Sequence, residues 1–110
     1  MSYVAAYAPD APERATLDAS SEPVLLEFGV DWCPHCQSAQ PAIAQALAAW
    51  PALRHIKVED GAGRRLGRSF RVKLWPTLIL LQQGVELGRV VRPLAEAEVA
   101  ELLALLPPAP

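Results

Sequence analysis

Val24-Leu25-Leu26-Glu27-Phe28-Gly29-Val30, followed at once by Asp31-Trp32-Cys33-Pro34-His35-Cys36, is the stretch on which the fold turns. Its first half is almost continuously apolar instead of alternating, which suits a central strand covered on both faces. Its second half leads into a helical stretch reaching about Trp50. There Ala39, Ile43, Ala46, Leu47 and Trp50 recur every three or four residues as an apolar stripe. Trp50 closes that stripe and reads as core. Pro41 sits inside the helix and removes one backbone donor, so a kink is expected.

Upstream, Tyr3–Tyr7 reads as a short first strand, and Pro12 to Ala19 as a short helix with its proline tolerated in the first turn. Ser20, Ser21 and Pro23 break the chain before the apolar strand. Downstream, Leu53 to Glu59 reads as another strand, with Leu53, Ile56 and Val58 as its apolar members. Gly61 and Gly63 end it, and Leu66 and Phe70 lie four apart on a short helix. Leu78 to Leu81, a turn at Gln83-Gly84, and Val85 to Val91 read as a β-hairpin. After Pro93 a last helix carries Val99, Leu102, Leu103 and Leu106 on one face, and Pro107-Pro108 stop it. The order β-α-β-α-β-α-β-β-α predicts an α/β protein with a central mixed sheet and helices on both faces.

The 110 residues amount to one domain, 1–110, whose ends, 1–9 and 107–110, are expected to be less ordered. Just over half of the residues are hydrophobic, enough for a core without staples. The net charge of −2 gives no electrostatic reason to expect nucleic acid or an anionic membrane as partner. No stretch reaches the ~18 apolar residues of a membrane span. The first ten residues lack a basic region followed by an apolar run, so the expectation is a cytoplasmic protein, or a periplasmic one if a leader was removed. Two cysteines three apart are too few and too close for a secreted disulfide scaffold.

Those cysteines carry the chemistry. At a strand-to-helix junction, the first sulfur of Cys-x-x-Cys lies at a helix N-terminus, where unpaired N–H groups and the helix dipole favour negative charge. Thiolate is the reactive form, so Cys33 is expected to be the nucleophile. Cys36 lies about one turn inward and can resolve the mixed disulfide that Cys33 forms. Pro34 suits the first helical position, which needs no N–H. His35 can supply charge or a donor to the Cys33 thiolate and so make the oxidised form a stronger oxidant. Two other readings stand beside this one. Cys33, His35, Cys36 and the distant His55 count out to four zinc ligands, but structural zinc pairs its ligands on turns or knuckles, not on one first helical turn after a buried strand. An inert buried pair is opposed by the exposed tip that such a turn presents. No metal site is expected.

At Trp32-Cys33-Pro34-His35-Cys36, with Pro41 five residues later, the chain resembles the active-site helix of the thioredoxin family. Trp75-Pro76-Thr77 resembles that family's cis-proline loop and Gln83-Gly84 its hairpin turn, and the similarity runs from about Val24 to Leu106. The resemblance implies a thioredoxin fold and a thiol–disulfide oxidoreductase acting on protein disulfides. It implies no cofactor beyond a redox-active Cys33–Cys36 disulfide, with a reductase or glutathione as electron source and a monomeric state. Pro76 would be cis, against the plainer reading of a trans proline opening an edge strand. Trp75 would pair its backbone with an extended substrate, and Trp32 and Arg92 would flank the same groove.

Glu27 lies where the family usually has a buried aspartate that moves protons for the second cysteine, and Lys57 matches the lysine that accompanies it. A carboxylate inside an apolar strand is costly unless paired or functional. With a raised pKa it would deprotonate Cys36; the plainer reading is a buried Glu27–Lys57 pair without a kinetic role. Three departures bear on specificity. Pro34-His35 resembles the dipeptide of DsbA-type oxidases, whose helical insertion this chain has no room for. Trp75 replaces a smaller residue, and Arg92 stands where thioredoxins usually have glycine. Lys73-Leu74-Trp75-Pro76 does not match the loop of glutathione-using glutaredoxins. A binding module with a non-essential dithiol remains the alternative function, although it would need neither cysteine, nor Pro76, nor Glu27. The basic run Arg64, Arg65, Arg68, Arg71 and Lys73 reads as a solvated helix face, or as a docking face for an acidic partner. His55 reads as a surface strand residue.

Overall fold

The computed structural model describes residues 2–107. Most of the expectation for 107–110 therefore falls outside the described residues. Eight elements follow in order: α1 (Arg14–Ala19), β1 (Val24–Gly29), α2 (Pro34–Leu47), β2 (Arg54–Glu59), α3 (Arg65–Ser69), β3 (Thr77–Gln82), β4 (Val85–Val91) and α4 (Glu96–Leu103). The four strands form one sheet in the order β2-β1-β3-β4. β1 runs parallel to β2 and antiparallel to β3, and β3 pairs antiparallel with β4.

Every residue of β1 is buried, as its unbroken apolar run demands. Its side chains alternate between two cores. Leu25 faces one with α2 and α4, including Ile43, Leu47, Val99 and Leu103. Val24, Leu26 and Phe28 face the other with Leu17, Leu66 and Phe70. Helices thus cover both faces. The alternation puts Glu27 and Gly29 on the α2 side with Leu25. The parallel register sets Leu25 beside His55 and Glu27 beside Lys57.

The first strand expected at Tyr3–Tyr7 is absent. Only Ala8 bridges to the sheet, at Val58, through Ala8 N–H to the Lys57 carbonyl and Glu59 N–H to the Ala8 carbonyl. Upstream of it, side chains take the backbone groups that a ladder would use. Val4 N–H donates to the His55 ring, the Ala5 carbonyl accepts from Lys57, and Tyr7 N–H donates to Asp31. Polar contacts therefore hold the segment against β1 and β2, and Tyr7 is 4% exposed.

Candidate active site

Cys33 is the N-cap of α2, with extended backbone, and Pro34 occupies the first turn. The chain turns from β1 through a Cys33 N–H bond to the Val30 carbonyl, and the Cys33 carbonyl accepts the Gln37 N–H as the helix begins. The two thiols, both reduced, then diverge in acidity. Partial burial pushes the Cys33 thiol up. The Cys36 and His35 backbone N–H groups, the Cys36 side chain and the Arg92 guanidinium outweigh it and hold the thiol below its ordinary range. Cys36 is 1% exposed, and burial pushes its thiol up to about 11. The contact His35 makes with the Cys33 sulfur is through its backbone N–H; the residue itself is exposed.

The Trp75–Pro76 peptide bond is cis. Trp75 packs with Cys33, Cys36, Val30 and Tyr7, its indole N–H donates to Asp60 at 2.9 Å, and its ring meets Trp32 edge-on at 6.1 Å. Trp32 is 73% exposed and forms the outer wall of the cysteine tip. Arg92 adopts φ 53°, a left-handed conformation that glycine takes without cost. Its backbone N–H donates to the Pro76 carbonyl at 2.9 Å and its Nε to the Trp75 carbonyl at 2.8 Å. The positions expected at the groove, Trp32, Trp75, Pro76 and Arg92, thus form one contact chain beside Cys33.

Beneath the cysteines lies a buried polar cluster centred on Glu27, which is 0% exposed. One carboxylate oxygen accepts from His55 Nε2 at 2.9 Å. The other accepts from the Tyr7 hydroxyl and from Gln40 Nε2, the latter at 2.9 Å, with Lys57 Nζ 4.0 Å away. Lys57 is held by the Ala5 carbonyl at 2.6 Å and Gln40 Oε1 at 2.7 Å, and Tyr3 donates to that same Gln40 oxygen. Among the described residues no buried side-chain nitrogen or oxygen is left without a partner, which is what a buried charge requires.

Two expectations need correction. Glu27 does not have a raised pKa: burial pushes it up, but the His55 hydrogen bond, the Lys57 charge, the electrostatic pull of the His55 ring and the Tyr7 hydrogen bond together hold it below the ordinary carboxylate range. Hydrogen bonds to the charged form and the nearby Lys57 charge together outweigh desolvation. Nor is His55 a surface residue; it is 5% exposed. Its Nδ1 faces the Val4 N–H, which can only donate, so Nδ1 accepts and Nε2 carries the hydrogen directed at Glu27. With both ring nitrogens so engaged, His55 does not join Cys33, His35 and Cys36 as a fourth ligand. Among the described residues no cluster of three or more metal-ligating side chains forms.

Sequence reading missed Tyr7, Gln40 and Gly29. Gly29 carried a signal: two residues beyond Glu27, it shares that residue's face of the strand. A Cβ there would lie 2.5 Å from Cys36 Sγ and 2.7 Å from the Tyr7 hydroxyl oxygen, so only glycine leaves room for both. The basic residues Arg64, Arg65, Arg68, Arg71 and Lys73 are all exposed, and Arg64 pairs with Glu59 at 2.8 Å.

The thioredoxin family sequence profile matches residues 8–104. The chain belongs to the thioredoxin family. Thioredoxin C-3 of Corynebacterium nephridii is 31% identical over 84 residues, which are 76% of this chain and 58% of that protein. The structure of reduced thioredoxin 2 from Pseudomonas aeruginosa PAO1 superposes with a TM-score of 0.82 at 51% identity, covering 92% of this chain and 94% of that one. Trxlp from Edwardsiella tarda EIB202 superposes at 0.69 with 30% identity, covering 81% and 88%. The chain spans less than two thirds of the length of the Corynebacterium relative and about half of a second curated thioredoxin. What it carries is the family's thiol–disulfide oxidoreductase domain, with its Cys-x-x-Cys pair at Cys33 and Cys36. Among the described residues no helix is long and apolar enough to cross a membrane.

Proposed function

We propose that the protein reduces disulfides of protein substrates, with Cys33 as attacking and Cys36 as resolving thiol. The observation that carries the division of labour is the placing of the two sulfurs, Cys33 at the N-cap of α2 with its thiol held low and Cys36 buried beneath it with its thiol pushed up to about 11. The Cys33 thiolate bonds to one substrate sulfur while the substrate S–S bond breaks and the other sulfur leaves as thiolate. Cys36, losing its proton, then bonds to Cys33 and expels the remaining substrate sulfur. The substrate has gained two electrons and the protein ends as the Cys33–Cys36 disulfide. Glu27, ionised and hydrogen-bonded, accepts the Cys36 proton, while Lys57 and His55 hold its charge. Pro34 starts the helix, and the Trp75 backbone at cis-Pro76 aligns an extended substrate between Trp32 and Arg92.

No prosthetic group enters these steps. Electrons return to Cys33–Cys36 from a protein reductase, with glutathione as the other source, and the monomer works in the cytoplasm, which keeps thiols reduced. Insulin-disulfide reduction tests the division of labour. Cys33→Ser abolishes it, whereas Cys36→Ser forms a mixed disulfide that persists and can be isolated. Equal labelling of both thiols by a limiting alkylating reagent at neutral pH overturns the assignment.

A further inference from the structure

The proton leaving Cys36 needs a path, because both that sulfur and the Glu27 carboxylate are enclosed. Tyr7 stands between them. Its ring packs with Cys33, Cys36 and Val30, its hydroxyl donates to Glu27, and the same oxygen converges with Cys36 Sγ on the space that a Gly29 Cβ would fill. We propose that Tyr7 is the proton relay of the resolving step, taking the Cys36 proton while handing its own to Glu27.

The direction is set by the hydrogen bonds. Tyr7 has one proton, and it is directed at the carboxylate, so its oxygen lone pairs remain to take up a proton from the neighbouring Cys36 thiol. Burial and the Glu27 charge push the phenol well above its ordinary range, so Tyr7 does not rest as a phenolate. It passes a proton on only as it receives one. The step balances: the Cys36 S–H bond and the original Tyr7 O–H bond break together, a new O–H bond forms at Tyr7 and another at Glu27, and the Cys36 electron pair forms the bond to Cys33 as the substrate thiolate leaves. Before and after, the net charge is the same. His55 and Gln40 grip the two oxygens of Glu27 and keep it facing the phenol. Gly29 keeps the gap between phenol and thiol open.

This relay rests on Glu27 being the acceptor, and the test separates the two ideas. One equivalent of 5,5′-dithiobis(2-nitrobenzoate) mixed with the reduced protein releases its yellow thiolate in two phases, the first from Cys33 attack and the second from Cys36 resolution. In Tyr7→Phe, which keeps the ring, the second phase is expected to slow roughly 10- to 100-fold, at the low end of what a positioned proton-transfer group contributes. The first phase stays within about twofold, as expected if helix-end activation of Cys33 is untouched. The second-phase solvent deuterium isotope effect should fall as well, which lost packing alone would not produce. A second phase unchanged in Tyr7→Phe but slowed in Glu27→Gln overturns the relay and leaves Glu27 as the acceptor. A second phase unchanged in both overturns Glu27 and the relay together. Equal slowing of both phases in Tyr7→Phe reduces Tyr7 to packing and overturns the relay.

Discussion

Arg92 is the residue whose chemistry departs most from its place in the chain. Its guanidinium lowers the Cys33 thiol while its Nε holds the Trp75 carbonyl, the group offered to a substrate backbone. A substrate strand must share or displace that bond. Arg92→Gly removes the charge and suits the left-handed backbone. Taking ~1 kcal/mol, the upper end of what modestly screened charge pairs contribute, the Cys33 thiolate fraction at neutral pH should fall by about fivefold. Alkylation rates measured against pH would show the midpoint moving up. His35→Ala should move it far less, because the contribution from position 35 is its backbone N–H, which alanine retains. Both cysteines and Glu27 were legible because their signals are local: a three-residue spacing at a strand end, and one carboxylate in an apolar run. Tyr7, Gln40 and the buried state of His55 were not. Their roles follow from register and from contacts such as Val4–His55, which are 51 residues apart in the chain.

Among the elements, α4 carries a visible deficit. Its N-cap, Ala95, has extended backbone but no side-chain acceptor. Half of a capping box is nevertheless built, since the Glu98 carboxylate accepts the Leu94 and Ala95 N–H groups at 3.1 Å. Ala95→Ser supplies the missing oxygen and should stabilise the protein by ~1 kcal/mol. For a domain near 100 residues that is a rise of ~4–8 °C in Tm, readable in a thermal melt, with insulin reduction unchanged. The hairpin showed as an apolar run before a Gln83-Gly84 turn, and periodicity located α2 and α4 because each buries a continuous stripe. It failed at Tyr3–Tyr7, where the run Tyr-Val-Ala-Ala-Tyr carried no alternation and side chains of β2 claimed the backbone.

For the whole molecule the buried cluster sets the response to acid. Glu27 titrates lower folded than unfolded, so the unfolded chain takes up its proton first as pH falls. Its stabilisation is complete above the unfolded carboxyl value of 4.5 and is lost as pH drops through the lower folded value. Denaturant melts from pH 7 to pH 3 should show this loss in the wild type, and Glu27→Gln should flatten it while lowering stability at pH 7. Glu86, held low by Arg89, adds the same sign from a partly exposed pair, and salt should remove its share. On the alkaline side the sign reverses. Cys36 titrates near 11 folded against 9.0 for an ordinary thiol, so stability present below pH 9 is lost as pH rises through about 11. Oxidation to the disulfide, or Cys36→Ala, should abolish that alkaline limb.

The N-terminal segment also has an order in time. Its first residues leave the ribosome before any of their partners exist, since Ala5 must wait for Lys57 and Val4 for His55, some fifty residues later. It makes one bridge to the sheet and is otherwise held by side chains far away in the chain, so it cannot be laid down before β1 and β2 have met. Hydrogen exchange should find the Val4 and Tyr7 amides opening well before those of β1. Each such opening lets water reach Glu27. The segment that closes over Glu27 is thus completed only once β2 exists, and until then the acid–base centre lacks its Tyr7 hydroxyl and the Lys57 anchor at Ala5.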